Sequence, residues 1–318
     1  MNEQFTHLHV HTEYSFLDGT INIKQLMQHL KSEGMTSCAI TDHGNLCGTI
    51  DFFRLAKEAS IKPILGCEIY VTLDKDRLEN KDKNRKNFHL TLLAQNIEGW
   101  RNLIWLSSQA YLYNFYYKPR VYLGHLKSHS SGIIALSGCL AGLVSRHGQF
   151  DEKEIAFIDH ENQSSMMLTW LKDIYGDRLY AEIQDNAMWE QGVYNKWLLT
   201  KAKELDIPPV ITTDAHFLKK TDHKTHQLIL AQQLGKTLEE YKNSKELQYG
   251  TGYYIRSIDE MFDAAVRCGS EEAFWNTQGI VDRCNLNITL GEYQNPSFDI
   301  SRCYDYQEYL RWTSERIK

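Results

Sequence analysis

Histidine occupies every second position from residue 7 to residue 11, in the run Thr6-His7-Leu8-His9-Val10-His11-Thr12. On an extended strand, side chains two and four residues apart share a face. Three imidazoles therefore line one side of this segment, with Leu8 and Val10 on the other. A strand that spends alternate positions on histidine is not ordinary core, and neutral imidazole is the commonest metal ligand among side chains. The fold has to accommodate an imidazole row from its first strand onward, and a metal site begun there is the first expectation.

Downstream, short apolar runs alternate with helical spacing. Residues 5–10, 37–41, 62–71, 88–94, 133–136, 179–183 and 209–213 read as strands. Residues 23–33, 50–60 and 100–113 read as helices, the first stopped by Gly34. Residues 74–86 are lysine-rich with almost no apolar side chains and read as an exposed loop. This βαβα rhythm predicts an α/β fold of parallel strands with covering helices. Six or seven such units favour a closed barrel over an open doubly wound sheet. In a barrel the chemistry sits at the C-terminal strand ends. Residues 1–220 read as the barrel core, 221–298 as a helical part of the same domain, and 299–318 as a linker or the start of a following region.

The charged and reactive residues follow that rule. Thr41-Asp42-His43, Cys67-Glu68, Ser137-Gly138-Cys139 and Thr213-Asp214-Ala215-His216 lie at or near the ends of their strands, and Asp18 lies in the loop after the first. Asp42 and His43 are adjacent and point apart on an extended chain, so one of them, His43, is expected at the site. Asp214 and His216 repeat the spacing of His9 and His11. His89 stands at the start of its apolar run, an exception to the rule. His7 is expected to be a hydrogen-bonded interior residue, and His223 and His226, three apart on a helix, to have surface or packing roles. Lys118, Arg120, Arg146, Lys219 and Lys220 are candidates for contacting phosphate.

Seven cysteines, an odd number with no Cys-x-x-Cys, argue against a disulfide framework or zinc ribbon. No apolar run approaches the ~20 residues of a membrane span, and the N-terminus lacks a signal-peptide pattern. A cytoplasmic location is therefore expected. The formal charge of −6 argues against an all-over electrostatic DNA binder, although bound divalent cations would offset it.

Taken in order, these segments resemble the PHP (polymerase and histidinol phosphatase) family. His-Leu-His-Val-His-Thr-Glu-Tyr-Ser-Phe-Leu-Asp-Gly, starting at His7, resembles its first motif, and Ile-Thr-Asp-His-Gly-Asn-Leu-Cys-Gly, starting at Ile40, its second. Gly66-Cys67-Glu68, the run 88–94, Ser137-Gly138-Cys139 and Thr213-Asp214-Ala215-His216-Phe217 match the rest in sequence. Tyr117-Lys118-Pro119-Arg120 and residues 283–293 are similar to the polymerase branch, the N-terminal PHP domains of bacterial DNA polymerase III alpha subunits. Asp18 and Cys139 stand where phosphatase members typically carry histidine, which favours the same branch.

The resemblance implies a distorted seven-stranded (β/α) barrel and three divalent metal ions. His9, His11, Glu68 and Asp214 would hold the first; Asp18, His43 and His216 the second; His89 and Cys139 the third, with Glu68 bridging. Mixed imidazole, carboxylate and thiolate donors suit Zn²⁺ or Mn²⁺ better than Mg²⁺, which stays an option. Glu68, Asp214 and His43 would act in catalysis through the metals. The implied activity is a metal-dependent phosphodiesterase, a 3′→5′ exonuclease on single-stranded or mismatched DNA ends that works with a replicative polymerase and cannot polymerise alone. A small-molecule phosphatase of the histidinol-phosphate type and a non-catalytic, metal-braced scaffold for replication factors are the alternatives.

Overall fold

Apolar side chains fall on one face of each predicted helix, and burial follows them. In helix α1 (Ile23–Ser32), Ile23, Leu26, Met27 and Leu30 are buried, while the Asn22 side chain caps the first turn by accepting from Gln25 N at 3.2 Å. The helix ends at Gly34, whose φ of 72° is the left-handed conformation that glycine tolerates. This computed structural model describes residues 4–73, 87–153, 156–244, 250–293 and 310–311. The lysine-rich stretch at 74–86 and most of 299–318 lie outside them.

The strands are β1 (Ser37–Ile40), β2 (Lys62–Thr72), β3 (Phe88–Ala94), β4 (Phe115–Tyr116), β5 (Lys118–Tyr122), β6 (Ile133–Leu136), β7 (Gln149–Asp151), β8 (Ala156–Ile158), β9 (Leu179–Gln184) and β10 (Pro209–Thr212). The remaining α-helices are α2 (Thr49–Glu58), α3 (Ile97–Leu112), α4 (Leu123–Ser128), α5 (Gln163–Tyr175), α6 (Trp189–Glu204), α7 (His223–Gln233), α8 (Leu238–Lys242), α9 (Ile258–Arg267) and α10 (Glu272–Arg283). Residues 1–286 form one compact unit; in the second, 287–318, only the short run 287–293 and a helical Leu310–Arg311 are described.

The pairings β1–β2, β6–β9 and β9–β10 are parallel. Strand β3 departs from the predicted all-parallel pattern and runs antiparallel to both neighbours, β2 and β6. The first segment is a set of isolated bridges rather than the continuous strand expected at 5–10. His7 bridges Cys38 of β1, and Val10 bridges Ala215 just beyond β10. Ala39 N donates to His7 O, and His11 N donates to Ala215 O, each at 2.8 Å. These bonds close the ring, so that segment 7–11, β1, β2, β3, β6, β9 and β10 form a distorted seven-membered barrel. The short strands β4 and β5 branch from the end of β2.

Leu8, Ala39, Ile64, Leu93, Ile134, Leu136 and Val210 meet in one buried cluster that Ile280, Val281 and Cys284, at the end of α10, complete. The C-terminal helical stretch is thus packed into the barrel core, and burying several such side chains is worth ~1.5–3 kcal/mol each.

Candidate metal centre

Strand geometry delivers the imidazoles and acids to one end of the ring. His43 follows β1, Glu68 lies late in β2, Cys139 follows β6, and Asp214 and His216 follow β10. The reversed direction of β3 explains His89. Phe88 and His89 pair with Val71 and Tyr70, so the start of β3 lies beside the end of β2.

Glu68 stands at the middle of the cluster. Its Oε1 is 3.0 Å from His89 Nδ1 and 3.4 Å from His9 Nε2, and its Oε2 is 2.6 Å from His43 Nδ1 and 3.6 Å from His11 Nε2. Asp214 Oδ1 lies 3.3 Å from His9 Nε2, 3.1 Å from His11 Nε2 and 3.6 Å from His216 Nδ1. Asp18 reaches His43 Nε2 at 3.1 Å and His216 Nε2 at 3.7 Å. Cys139 Sγ is 3.7 Å from His89 Nδ1 and 3.8 Å from Glu68 Oε1. All nine residues named from the sequence are brought together.

Three donor sets are close enough to share an ion: His9, His11 and Asp214; His43, Glu68 and His89; and His11, His43 and His216. The buried atoms His9 Nε2, His11 Nε2, His43 Nδ1, Glu68 Oε2 and Asp214 Oδ1 make no hydrogen bond of good geometry and face one another. Buried polar atoms left this way cost free energy. Divalent cations would satisfy them together, so the donor types fit metal; the groupings differ from the three sets that the resemblance implies, since His43 joins Glu68 and His89, and neither Asp18 nor Cys139 falls in any of the three.

The PHP domain family matches residues 7–186, more than half of the chain. The chain belongs to the PHP family. It is 36% identical to the DNA polymerase III subunit alpha of Campylobacter jejuni over 95% of its own length and 25% of that protein. The Helicobacter pylori (strain 26695) subunit is also 36% identical, over 99% of the chain and 26% of the relative. That of Deinococcus radiodurans is 37% identical, over 97% and 23%. The chain therefore spans about a quarter of the length of these relatives.

Several residues hold this PHP cluster in place from outside it, and one of them, Glu182, carries no sequence signal. Glu182, on β9, receives His9 Nδ1 at 2.6 Å, Thr212 Oγ1 at 2.6 Å and Gly138 N at 3.1 Å. It fixes the tautomer of His9, so that Nε2 is the nitrogen turned to the acids, an arrangement typical of outer-shell partners of metal-binding histidines. Asp42 accepts from Thr12 N, Thr12 Oγ1 and Ser15 Oγ at 2.6–2.8 Å. It braces the turn from which Ser15 reaches His11 Nδ1 at 3.0 Å. Asp42 thus points away from the cluster while His43 enters it, as the extended geometry requires.

His226 takes the packing half of its expected role, its ring 5.3 Å from that of Phe217, and adds a polar contact. It is fully buried, with Nε2 3.3 Å from Asp18 Oδ1 and its ring 5.5 Å from that of His216. Helix α7 covers this side of the cluster and turns His226 and Leu230 inward. His223 packs against Phe217, ring to ring at 5.8 Å. His7 is an interior histidine whose Nε2 donates to Arg256 O at 2.9 Å; burial lowers its pKa to about 4, so it is neutral.

The phosphate candidates are scattered. Lys118 is exposed and lies 5.3 Å over the Tyr70 ring, which itself stacks on His43 at 6.0 Å. Arg120 is buried, contrary to the surface role expected of it; β5 pairs with the end of β2 and turns its guanidinium over Tyr116. Arg146 is exposed in the turn Ser145–His147 beyond Cys139, and Lys219 and Lys220 are exposed ahead of α7.

Charge within the cluster is strongly mutual. Burial opposes ionising Glu68 and Asp214, but the surrounding imidazoles hold both carboxyls below their usual range. Burial also opposes charging His43, yet Glu68 and Asp18 raise it to about 10. His11 goes the other way, pushed well below the usual imidazole value by burial and by His43 and His216. Burial and the nearby Glu68 and Asp214 keep the Cys139 thiol protonated, so a thiolate there needs a cation beside it.

Proposed function

We propose that this PHP chain is a metal-dependent phosphoesterase that hydrolyses DNA phosphodiesters, working as a 3′→5′ exonuclease alongside a replicative DNA polymerase in the cytoplasm. The observation that carries the reading is the set of buried imidazole and carboxylate atoms that converge on Glu68 and Asp214. His9, His11, Glu68 and Asp214 would hold one ion; Asp18, His43 and His216 a second; His89 and Cys139 a third, with Glu68 shared. The imidazole and thiol donors favour Zn²⁺ or Mn²⁺. When bound, such ions supply charge neutralisation at a phosphodiester and a water acidic enough to ionise near neutral pH.

The chain's own residues do the positioning. Glu182 fixes the His9 ring, and Ser15 and Asp42 fix the turn beside His11. Glu68, Asp214 and His43 would act in catalysis through the metals they hold. Lys118 stands near the Tyr70 face of the cluster, where it can meet a backbone phosphate. The names of the relatives point to DNA as substrate and to a replicative polymerase as partner.

The test is metal analysis of the purified chain together with degradation of a 3′-labelled mismatched primer in Mn²⁺ and in Zn²⁺. We expect two or more bound ions and stepwise loss of the label, abolished by His9→Ala. Fewer than two ions with no cleavage would sink the mechanism. Bound metal without cleavage, and a lower melting temperature for His9→Ala, would instead assign the metals a bracing role.

A further inference from the structure

Beside the cluster, residues 111–120 read Tyr-Leu-Tyr-Asn-Phe-Tyr-Tyr-Lys-Pro-Arg, an aromatic run at the end of α3 and along the β4–β5 hairpin. Tyr111, Tyr113, Phe115 and Tyr117 are 47%, 62%, 55% and 64% exposed. Large rings kept in water forgo the ~1.5–3 kcal/mol each would gain by burial. The Tyr111 and Phe115 rings lie 6.0 Å apart and Tyr117 packs on Tyr116 at 4.7 Å, and exposed rings gathered in this way mark a contact surface. Tyr117 forms the turn of the hairpin at φ 59°, a left-handed conformation that a bulky side chain adopts only at a cost.

This shelf is joined to the metal centre. The Tyr70 ring lies 6.0 Å from that of His43 and 5.2 Å from that of His89, and the Lys118 ammonium lies 5.3 Å over its centre. From the other side, the hairpin abuts the loop that carries His43. A Cβ placed on Gly44 would come within 2.9 Å of both Pro119 Cγ and the Tyr70 ring. An occupant of the shelf would therefore lie next to the acids and imidazoles.

We propose that the shelf stacks the unpaired bases of a single-stranded DNA whose end enters the metal centre. The inference rests on the phosphoesterase reading for the position of that end. Flat exposed rings accept the face of any base, at ~1–3 kcal/mol per stacked base, without reading sequence. Lys118 supplies a cation for the backbone beside the rings. A duplex keeps its base faces covered, so the chemistry selects a single strand.

The test is fluorescence anisotropy with a labelled phosphorothioate oligo(dT) in Mn²⁺, whose integrity is checked after each titration. It compares the full 318-residue chain with Phe115→Ala, Tyr117→Ala and Tyr117→Phe. Each alanine variant should bind about 5- to 150-fold more weakly, the equivalent of losing one stacked base, whereas Tyr117→Phe should keep most of the affinity. A duplex of the same length should compete poorly. Melting curves verify folding, and Tyr113→Ala replaces either alanine variant that fails to fold. Equal binding by wild type and folded alanine variants, or no binding by wild type, overturns the shelf. Aromatic-dependent binding by a chain that cleaves no primer leaves the shelf standing and removes the phosphoesterase. Primer cleavage with no aromatic dependence does the reverse.

Discussion

His9 shows how much of the centre depends on a residue that never faces it. Its Nδ1 is held at 2.6 Å by Glu182, with Thr91 Oγ1 more distant at 3.3 Å, and this leaves Nε2 turned toward Glu68 and Asp214. Glu182 is itself fully buried and satisfied by Thr212 and Gly138, so its position is rigid. Exchanging the carboxylate for an amide weakens the acceptor that orients the ring and raises its basicity. Glu182→Gln should lower metal affinity about 10- to 100-fold, the usual cost of losing an outer-shell partner. Calorimetric titration with Mn²⁺ measures it, and unchanged affinity would remove Glu182 from the site. His226 is comparable at Asp18, where a buried ring from α7 stands beside a carboxylate already close to His43 and His216.

At the scale of elements, direction matters more than identity. Strand β3 is as apolar as its neighbours, but its reversal is what brings His89 to the acids. The helical C-terminal stretch is tied back to the ring at a few points. His7 donates to Arg256 O, and Asp185, just past β9, accepts from Arg256 Nη1 at 3.0 Å and Arg267 Nη2 at 2.7 Å. Burial alone would raise the Asp185 carboxyl, but these two guanidinium groups lower it below the usual aspartate range. A carboxyl with a depressed folded pKa contributes stability above its unfolded value of about 4, and loses it as pH falls through the folded value. Asp185→Asn should therefore cost about 1–3 kcal/mol near neutral pH. The gap from wild type should close as the solution is acidified below about pH 4. Urea unfolding across pH 2–7 reads this; a gap that does not shrink in acid would assign the effect to packing.

For the molecule as a whole, metal binding at this centre would be coupled to folding. The donors come from segment 7–11, β2, β3 and the ends of β1, β6 and β10, so the site exists only when the ring is closed. A ligand that binds only the folded state at 100 times its Kd adds about 2.7 kcal/mol. Scanning calorimetry should therefore show a melting temperature that rises with free Mn²⁺ or Zn²⁺ and falls on chelation. A transition indifferent to both would remove metal from the folded state. Among the described residues no helix is long and apolar enough to cross a membrane.

Local pattern sufficed for helices α1 to α3 and for most strand positions, because side-chain periodicity is a property of short segments; the nine-residue set came instead from the order of motifs that resemble the PHP family, with His89 an exception to the local pattern. The alternation at His7, His9 and His11 set the theme, and it also separated His43 from Asp42. Three things needed the tertiary structure. The reversal of β3 depends on which strands it pairs with. The role of Glu182 depends on a partner 173 positions away. The burial of His226, against Asp18 from 208 positions away, depends on where α7 packs. None of these leaves a local trace, since each is a relation between distant segments that exists only once the ring has closed.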